Sequence, residues 1–169
     1  MTPEEMIPGC ELRPAWRLND ERIEADAIAF WTRLGILPVG VAPEQRAKEL
    51  VAVVYKNGAL FGVQTARIER VEQVRARLAM VRSAVDPGHR RTHISLALTL
   101  YSRNLLQAWA REHPEEKLGG LGAKVGGPDL AARAEQPFWP QTRFILAGFL
   151  ADGRQLRISW FEDYLLESY

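Results

Sequence analysis

The chain has 169 residues, of which 47% are hydrophobic, and this length and composition predict a single domain over residues 1–169. A net charge of +1 gives no electrostatic case for nucleic-acid binding, and the single cysteine excludes an intramolecular disulfide. No apolar run approaches the roughly 18 residues that a membrane-spanning helix needs. The N-terminal MTPEEMIPGC lacks the basic and apolar regions of a signal peptide, so we expect a cytoplasmic protein.

The first helical pattern lies in NDERIEADAIAFWTRLGIL, residues 19–37. Asn19 or Asp20 can cap its start, and Gly35 is placed to end it. Apolar residues recur at helical spacing at Ile23, Ala27, Phe30, Trp31 and Leu34. The polar segment PEQRAKEL, residues 43–50, fits either a short surface helix or a loop.

Three strands are predicted next. ELVAVVYKNGALFGVQTARI, residues 49–68, contains two β-rich runs joined by Asn57-Gly58, a strong hairpin signal. The third strand is predicted over Glu72–Val85, entered by a turn near Glu69–Glu72. These runs predict an antiparallel three-stranded unit.

A long helix is predicted from Thr92 or His93 until Pro114 stops it. Its apolar stripe consists of Ile94, Ala97, Leu98, Tyr101, Leu105, Ala108 and Trp109. A Gly-rich strand in EKLGGLGAKVGG, a brief helix in PDLAARAEQPFWPQT and a terminal hairpin turning at Asp152-Gly153 follow. The order predicts an α+β fold, with a mixed, mostly antiparallel central sheet flanked by helices.

The stretch VDPGHRRTHIS, residues 85–95, joins the third strand to the long helix. A helix N-terminus presents unpaired N–H groups and a partial positive charge, and it therefore favours anions such as phosphates. Arg90 and Arg91 add cations, and Thr92 and Ser95 can donate hydroxyl hydrogen bonds. From these residues alone, an anion-binding loop and a solvated basic turn both remain open.

The same stretch resembles the central motif of the GNAT superfamily of acyl-CoA-dependent N-acyltransferases, Val-x-Pro-x-x-Arg-x-x-Gly-x-Gly/Ala entering a long helix. Val85, Pro87 and Arg90 match it in type and spacing, and His93 and Ser95 stand at its two small-residue positions. Together with the order of strands and helices, the resemblance covers roughly Leu12 to Glu162. It implies a GNAT-like fold and a protein that binds acetyl-CoA or another acyl-CoA.

The resemblance also implies where the cofactor lies. The pyrophosphate would meet the loop and helix start, and the pantetheine arm would run along the end of the third strand like an added strand. The implied cofactor-binding residues are Ser83, Ala84, Val85, Arg90, Arg91, Thr92, His93, Ile94 and Ser95. The Gly-rich Leu118–Ala123 suits the opposing strand, because glycine marks close backbone approach. A strand merely weakened by glycine is the alternative.

The catalytic acid and base are not identifiable. The resemblance implies a carboxylate on the third strand and a Tyr on the short helix before the hairpin, but Val74–Val85 has no Asp or Glu and Pro128–Pro140 has no Tyr. Asp163 and Tyr164 would enter a site only if the chain folds back; otherwise they form a solvated tail. Phe138 and Trp139 either wall an acceptor pocket or pack in the core. The three histidines are too scattered to predict a metal site.

The sequence therefore predicts transfer of an acyl group from acyl-CoA to a small-molecule or peptide amine, with no nucleic-acid or membrane partner and with a homodimer left open. One alternative is a degenerate GNAT fold that binds acyl-CoA without turnover. A second is an unrelated α+β interaction domain.

Overall fold

The computed structural model describes residues 1–89, 93–127 and 131–167. The helices are α1 (Pro3–Met6), α2 (Glu21–Leu34), α3 (Pro43–Ala47), α4 (Ile94–Glu112) and α5 (Ala131–Ala134). The strands are β1 (Glu11–Pro14), β2 (Leu50–Lys56), β3 (Ala59–Val71), β4 (Ala76–Val85), β5 (Leu118–Val125), β6 (Phe138–Trp139), β7 (Phe144–Phe149) and β8 (Gln155–Trp160). Short 3-10 turns lie at Pro87–His89 and Pro114–Glu116.

The strands form a sheet in the order β1-β2-β3-β4-β5-β8-β7-β6. β4 pairs with β5 in parallel, whereas β1–β2, β2–β3, β5–β8, β7–β8 and β6–β7 are antiparallel. The paired register of β4 and β5 runs from Arg77 opposite Leu118 to Met80 opposite Gly122. The predicted α+β class, with a mixed and mostly antiparallel sheet, is confirmed.

The chain divides into two compact units, Met1–Ala66 with Arg82–Leu105, and Arg67–Val81 with Leu106–Tyr169. In the first unit, one apolar cluster joins α2 to Val53 and Val63, and another joins the start of α4 to Val54 and Phe61. In the second unit, the core is built from Val71, Ala76, Leu78, Met80, Leu156 and Ile158. Val53 and Val54 of β2 lie in different clusters because successive side chains point to opposite faces of a sheet. On β3, Phe61 and Val63 also lie in different clusters, and the pairing with β2 shifts register beside Phe61.

The predicted boundaries of α2 are confirmed. The Asp20 carboxylate accepts hydrogen bonds from the backbone N–H groups of Arg22 and Ile23, each at 3.1 Å, so Asp20 rather than Asn19 is the N-cap. Gly35 ends the helix in the left-handed conformation with φ of 61°.

The predicted start of the third strand is wrong. β3 continues to the buried Val71, the turn occupies residues 72–75, and β4 begins at Ala76 rather than Glu72. Arg75 takes a left-handed φ of 49° in this turn, and no Gly or Pro marks the position in the sequence. The observed turn therefore lies three residues after its predicted place near Glu69–Glu72.

Three short elements are missing from the sequence-based description: α1, β1 and β6. β1 and β6 have four and two residues, too few for an alternating pattern, and they exist through pairing with β2 and β7. α1 does have a signal, since Thr2 and Glu5 form a capping box in which each side chain bonds the other's backbone N–H.

Both predicted hairpin turns form. Asn57 and Gly58 have φ of 50° and 77°, the paired positive angles of a two-residue hairpin turn. At the other turn, Gly153 has φ of 88° and donates its N–H to the Leu150 carbonyl at 2.9 Å. The loop is closed by the Leu150 N–H, which donates to the Arg154 carbonyl at 2.7 Å.

Replacing Gly153 by valine should lower the free energy of unfolding by about 1 to 3 kcal/mol, because a β-branched residue is strained at a positive φ. A Cβ at this position meets no heavy atom of the described chain within 4 Å, so the expected loss is conformational rather than steric. Gly153→Asn is the matched control, since Asn tolerates the left-handed region and should lose much less stability. Chemical denaturation in which the valine and asparagine variants have equal midpoints would contradict this assignment of the turn.

Candidate functional site

The end of β4 carries the first three predicted cofactor residues. Ser83 is exposed, and Ala84 and Val85 are half-buried. Ala84 packs on the α2 cluster and Val85 on the α4 cluster, so the two side chains anchor the strand on opposite faces. This alternation fixes the backbone of Ser83–Val85 while leaving the Ser83 side chain in contact with solvent.

The loop after β4 is held by several hydrogen bonds centred on Asp86. Its backbone N–H donates to the Phe61 carbonyl at 2.8 Å, and its carboxylate accepts from the Gly88 N–H at 3.0 Å and from Arg33 at 2.9 Å. The His89 ring lies 4.7 Å from that of Phe61, centroid to centroid. The Pro87–His89 turn is therefore fixed to both β3 and α2.

The hydrogen bond from Arg33, followed in importance by that from the Gly88 N–H, holds the pKa of the Asp86 carboxyl below its ordinary value of 3.8. Because the folded-state pKa is the lower one, the carboxylate stabilises the fold above the unfolded pKa, and this contribution is lost as the pH falls through the folded pKa.

We therefore expect Asp86→Asn to reduce stability by less than about 1 kcal/mol near neutral pH, the range of an exposed ion pair. The difference between the two proteins should vanish at an acid pH below the folded-state pKa of Asp86, where the wild-type carboxyl is also protonated. Urea denaturation of both proteins at the two pH values measures this. A difference of the same size at both would mean that the charge of Asp86 does not contribute.

His93 immediately precedes α4 and has an unusual backbone. Its φ is 59°, in the left-handed region that glycine occupies readily and that other residues rarely adopt. Its carbonyl accepts the Ala97 N–H at 2.9 Å, which is the first hydrogen bond of the helix, and its side chain is exposed. The chain thus enters α4 through a glycine-like conformation at a histidine.

The remaining predicted cofactor residues divide into three groups. Arg90, Arg91 and Thr92 lie outside the described residues. Ser95 is exposed in the first turn of α4. Ile94 is 2% exposed and packs in the core, so only its backbone N–H can face a ligand.

Gln64, which is not among the predicted site residues, connects the end of β4 to helix α4. The Gln64 side-chain amide, on β3, donates to the Ser83 hydroxyl at 2.8 Å and to the Thr99 hydroxyl at 3.3 Å. Thr99 in turn donates to the Ser95 carbonyl at 2.8 Å. A polar residue in the middle of the apolar run ALFGVQTARI was the available signal.

The glycines of β5 lie where a side chain would collide with other residues of the second unit. A Cβ on Gly120 would meet the backbone of β8 at the Ser159 carbonyl and at Trp160 Cα, the latter at 2.9 Å. On Gly119 it would meet the Tyr164 ring, and on Gly122 the Met80 side chain. The predicted close backbone approach therefore exists at Gly120, where it is made by β8 of the same protein, whereas Gly119 and Gly122 meet side chains.

The segment after β8 is exposed at five of the six residues 162–167, and it contacts the rest of the second unit through Asp163 and Tyr164. The Tyr164 ring stacks on Trp160 with centroids 5.6 Å apart, and desolvation followed by the charge of Glu167 raises its pKa. Asp163 forms an ion pair with Arg111 of α4 at 2.6 Å. Arg111, Asp163 and Tyr164 border a pocket of about 520 Å³ in the second unit.

Of the predicted aromatic pair, Trp139 is buried and Phe138 is 49% exposed. The Trp139 ring lies under two guanidinium groups, with Arg157 at 3.9 Å and Arg133 at 4.9 Å from its centroid. Arg157 is fully buried and donates to Gln155 at 2.8 Å and to the Ala134 carbonyl at 3.1 Å. Trp139 is therefore a packing residue, as one of the two predicted alternatives has it.

Within residues 1–89, 93–127 and 131–167, no group of three or more His, Cys, Asp or Glu side chains is arranged to hold a metal ion. None of the helices in the same ranges is both long enough and apolar enough to cross a membrane.

Comparisons with known proteins place the fold. No protein-family model matches the sequence, and no curated protein matches it. Among solved structures, an acetyltransferase of the GNAT family from Streptococcus pneumoniae is 13% identical with a TM-score of 0.61, over 90% of this chain and 99% of that one. A ribosomal-protein-S5-alanine acetyltransferase from Vibrio fischeri is 13% identical with a TM-score of 0.60, over 94% and 96%. An N-acetyltransferase from Staphylococcus aureus is 16% identical with a TM-score of 0.50, over 91% and 98%.

Proposed function

Since the chain has the fold of the GNAT acetyltransferases, we propose that it binds an acyl-CoA, with acetyl-CoA as the first candidate, and transfers the acyl group to an amine. The observation that supports this best is the left-handed backbone at His93. The motif that VDPGHRRTHIS resembles has glycine there, and the φ of 59° at His93 is a conformation that glycine adopts readily.

The residues present fit the two chemically distinct parts of the cofactor. The diphosphate lies at the N-terminus of α4, where the N–H groups of the first turn and the Ser95 hydroxyl donate to it. The pantetheine arm runs along Ser83–Val85, which follow the paired stretch of β4, and forms strand-like hydrogen bonds with them. Arg90, Arg91 and Thr92 stay predicted cofactor residues on the basis of the sequence.

In the transfer, the neutral amine nitrogen attacks the thioester carbonyl carbon, a carbon–nitrogen bond forms, and the carbon–sulfur bond breaks. The amine loses one proton, and the departing thiolate gains one. β4 carries no carboxylate, so no base is assigned to this strand. The acceptor is a small-molecule or peptide amine, the location is cytoplasmic, and the oligomeric state is left open.

The second candidate is an acyl-CoA-binding protein without turnover. The absence of Asp and Glu from β4, and of Tyr from the sequence between Pro128 and Pro140, favours it. Both candidates require binding of the cofactor, and they differ only in whether the thiol is released.

Calorimetric titration with acetyl-CoA, CoA and pantetheine tests the shared premise. We expect acetyl-CoA and CoA to bind, and pantetheine, which lacks the diphosphate, to bind much more weakly. Thiol release from acetyl-CoA with a panel of amines then separates the candidates: release that depends on the amine supports transfer, and binding without release supports the binding protein. No binding of acetyl-CoA or CoA would overturn both.

A further inference from the structure

Gln64 is a buried polar residue with an unusual set of partners. It lies on β3, is 1% exposed, and its neighbours on the same strand are the apolar Val63 and the buried Thr65. Its amide group donates one hydrogen bond to a strand residue, Ser83, and one to a helix residue, Thr99. One side chain therefore connects β3, β4 and α4.

Packing alone does not account for this residue. Burying an amide is unfavourable unless its groups are paired, and the Gln64 Oε1 atom is buried with no hydrogen-bond partner in the described chain. Helix α4 lies close to β3 at this point, because a Cβ on Gly62 would be 3.2 Å from Leu98 and 3.3 Å from Ile94. An apolar side chain would fill the same space without leaving an acceptor unpaired.

The direction of the hydrogen bond determines what Ser83 can do. A hydroxyl has one proton to donate and two lone pairs that accept. Because the Gln64 amide donates to the Ser83 oxygen, the Ser83 proton is directed to another acceptor. Ser83 is exposed and stands in the segment along which the pantetheine arm is proposed to run, and that arm carries amide carbonyls.

We infer that Gln64 is a positioning residue for the acyl-CoA site: it holds the Ser83 hydroxyl as a donor toward an amide carbonyl of the pantetheine arm, and through Thr99 it fixes the first turn of α4 relative to β4. This inference rests on the proposed function and deepens it. Gln64 itself does not contact the cofactor.

The test is a double-mutant cycle on the dissociation constant of acetyl-CoA, measured by calorimetry on the full chain. We expect Gln64→Met to weaken binding about 3- to 10-fold, the range for one or two neutral hydrogen bonds. Ser83→Ala should weaken it to a similar extent. In the Ser83→Ala background, Gln64→Met should have a clearly smaller effect, because only its hydrogen bond to Thr99 is left to lose.

Ser102→Ala is the matched control. Ser102 lies on α4, is fully buried, and its hydroxyl has no partner in the described chain, so its loss should leave the dissociation constant unchanged. Unfolding midpoints of all variants are recorded in parallel. If Gln64→Met does not fold, Gln64→Leu replaces it, since leucine also cannot donate to Ser83.

The possible results separate the inference from the function on which it rests. If the wild-type protein binds acetyl-CoA and the folded Gln64 variant binds equally well, the inference is overturned and the function stands. An effect of the Gln64 substitution that is just as large in the Ser83→Ala background also overturns it, since that is the result for a merely structural residue. If the wild-type protein binds neither acetyl-CoA nor CoA, both fail.

Discussion

Gly120→Ala should lower the free energy of unfolding by about 3 kcal/mol, the upper part of the range for added volume in a packed interior. The new methyl group would meet the Ser159 carbonyl, with Trp160 Cα at 2.9 Å and the Ser159 carbonyl carbon at 3.1 Å. These are backbone atoms of β8, which is hydrogen-bonded to β5 on one side and to β7 on the other. The strand therefore cannot move aside without losing pairs in both ladders.

The neighbouring glycine provides a matched control. Gly119→Ala places its methyl group 2.9–3.1 Å from atoms of the Tyr164 ring, which belongs to a half-buried side chain after the last strand and can shift. Its loss of stability should be below about 1 kcal/mol. Urea denaturation of the two variants gives the comparison. Equal losses, or a larger loss for Gly119→Ala, would mean that β8 does not approach β5 as closely as described.

The sequence predicted the elements that have strong local signals. Helix α2 has an apolar stripe, an Asp cap and a terminal glycine, and both hairpins have a glycine, Gly58 or Gly153, at a position with a positive φ. The turn between β3 and β4 has no such residue. Its left-handed position is occupied by Arg75, where glycine or asparagine is usual. The predicted start of β4, Glu72, therefore lies four residues before the observed start at Ala76.

The sequence could predict only those parts of the candidate site whose residues are close together in the chain. Val85, Pro87 and Ser95 lie within one continuous motif, so the sequence can place them next to each other. The contacts of Gln64 with Ser83 and Thr99 join residues 19 and 35 positions apart, and their partners depend on the packing of α4 against β3. The ion pair between Arg33 and Asp86 joins residues 53 positions apart, and it likewise depends on tertiary packing.

His93→Asp should weaken acetyl-CoA binding by roughly 5- to 150-fold at low salt. If the diphosphate lies at the start of α4, the new carboxylate is within several ångströms of it. At a separation of about 4 Å and an effective dielectric constant of about 20, two unit charges repel by about 4 kcal/mol. The exposed His93 side chain is partly screened by solvent, which reduces the expected loss to about 1 to 3 kcal/mol.

Folding should change little in this variant, because Asp tolerates the left-handed φ of 59° at residue 93 and is favourable near a helix N-terminus. His93→Asn is the matched control: it has nearly the same shape and the same backbone tolerance but no charge, so it isolates the electrostatic contribution. Calorimetric titrations of the three proteins with acetyl-CoA at low and high salt measure both effects. We expect the Asp variant to lose affinity relative to the Asn variant, with a difference that shrinks as salt is added. Equal affinities of the two variants at low salt would place the diphosphate elsewhere, and the residues around His93 would then form the solvated basic turn that the sequence also allows.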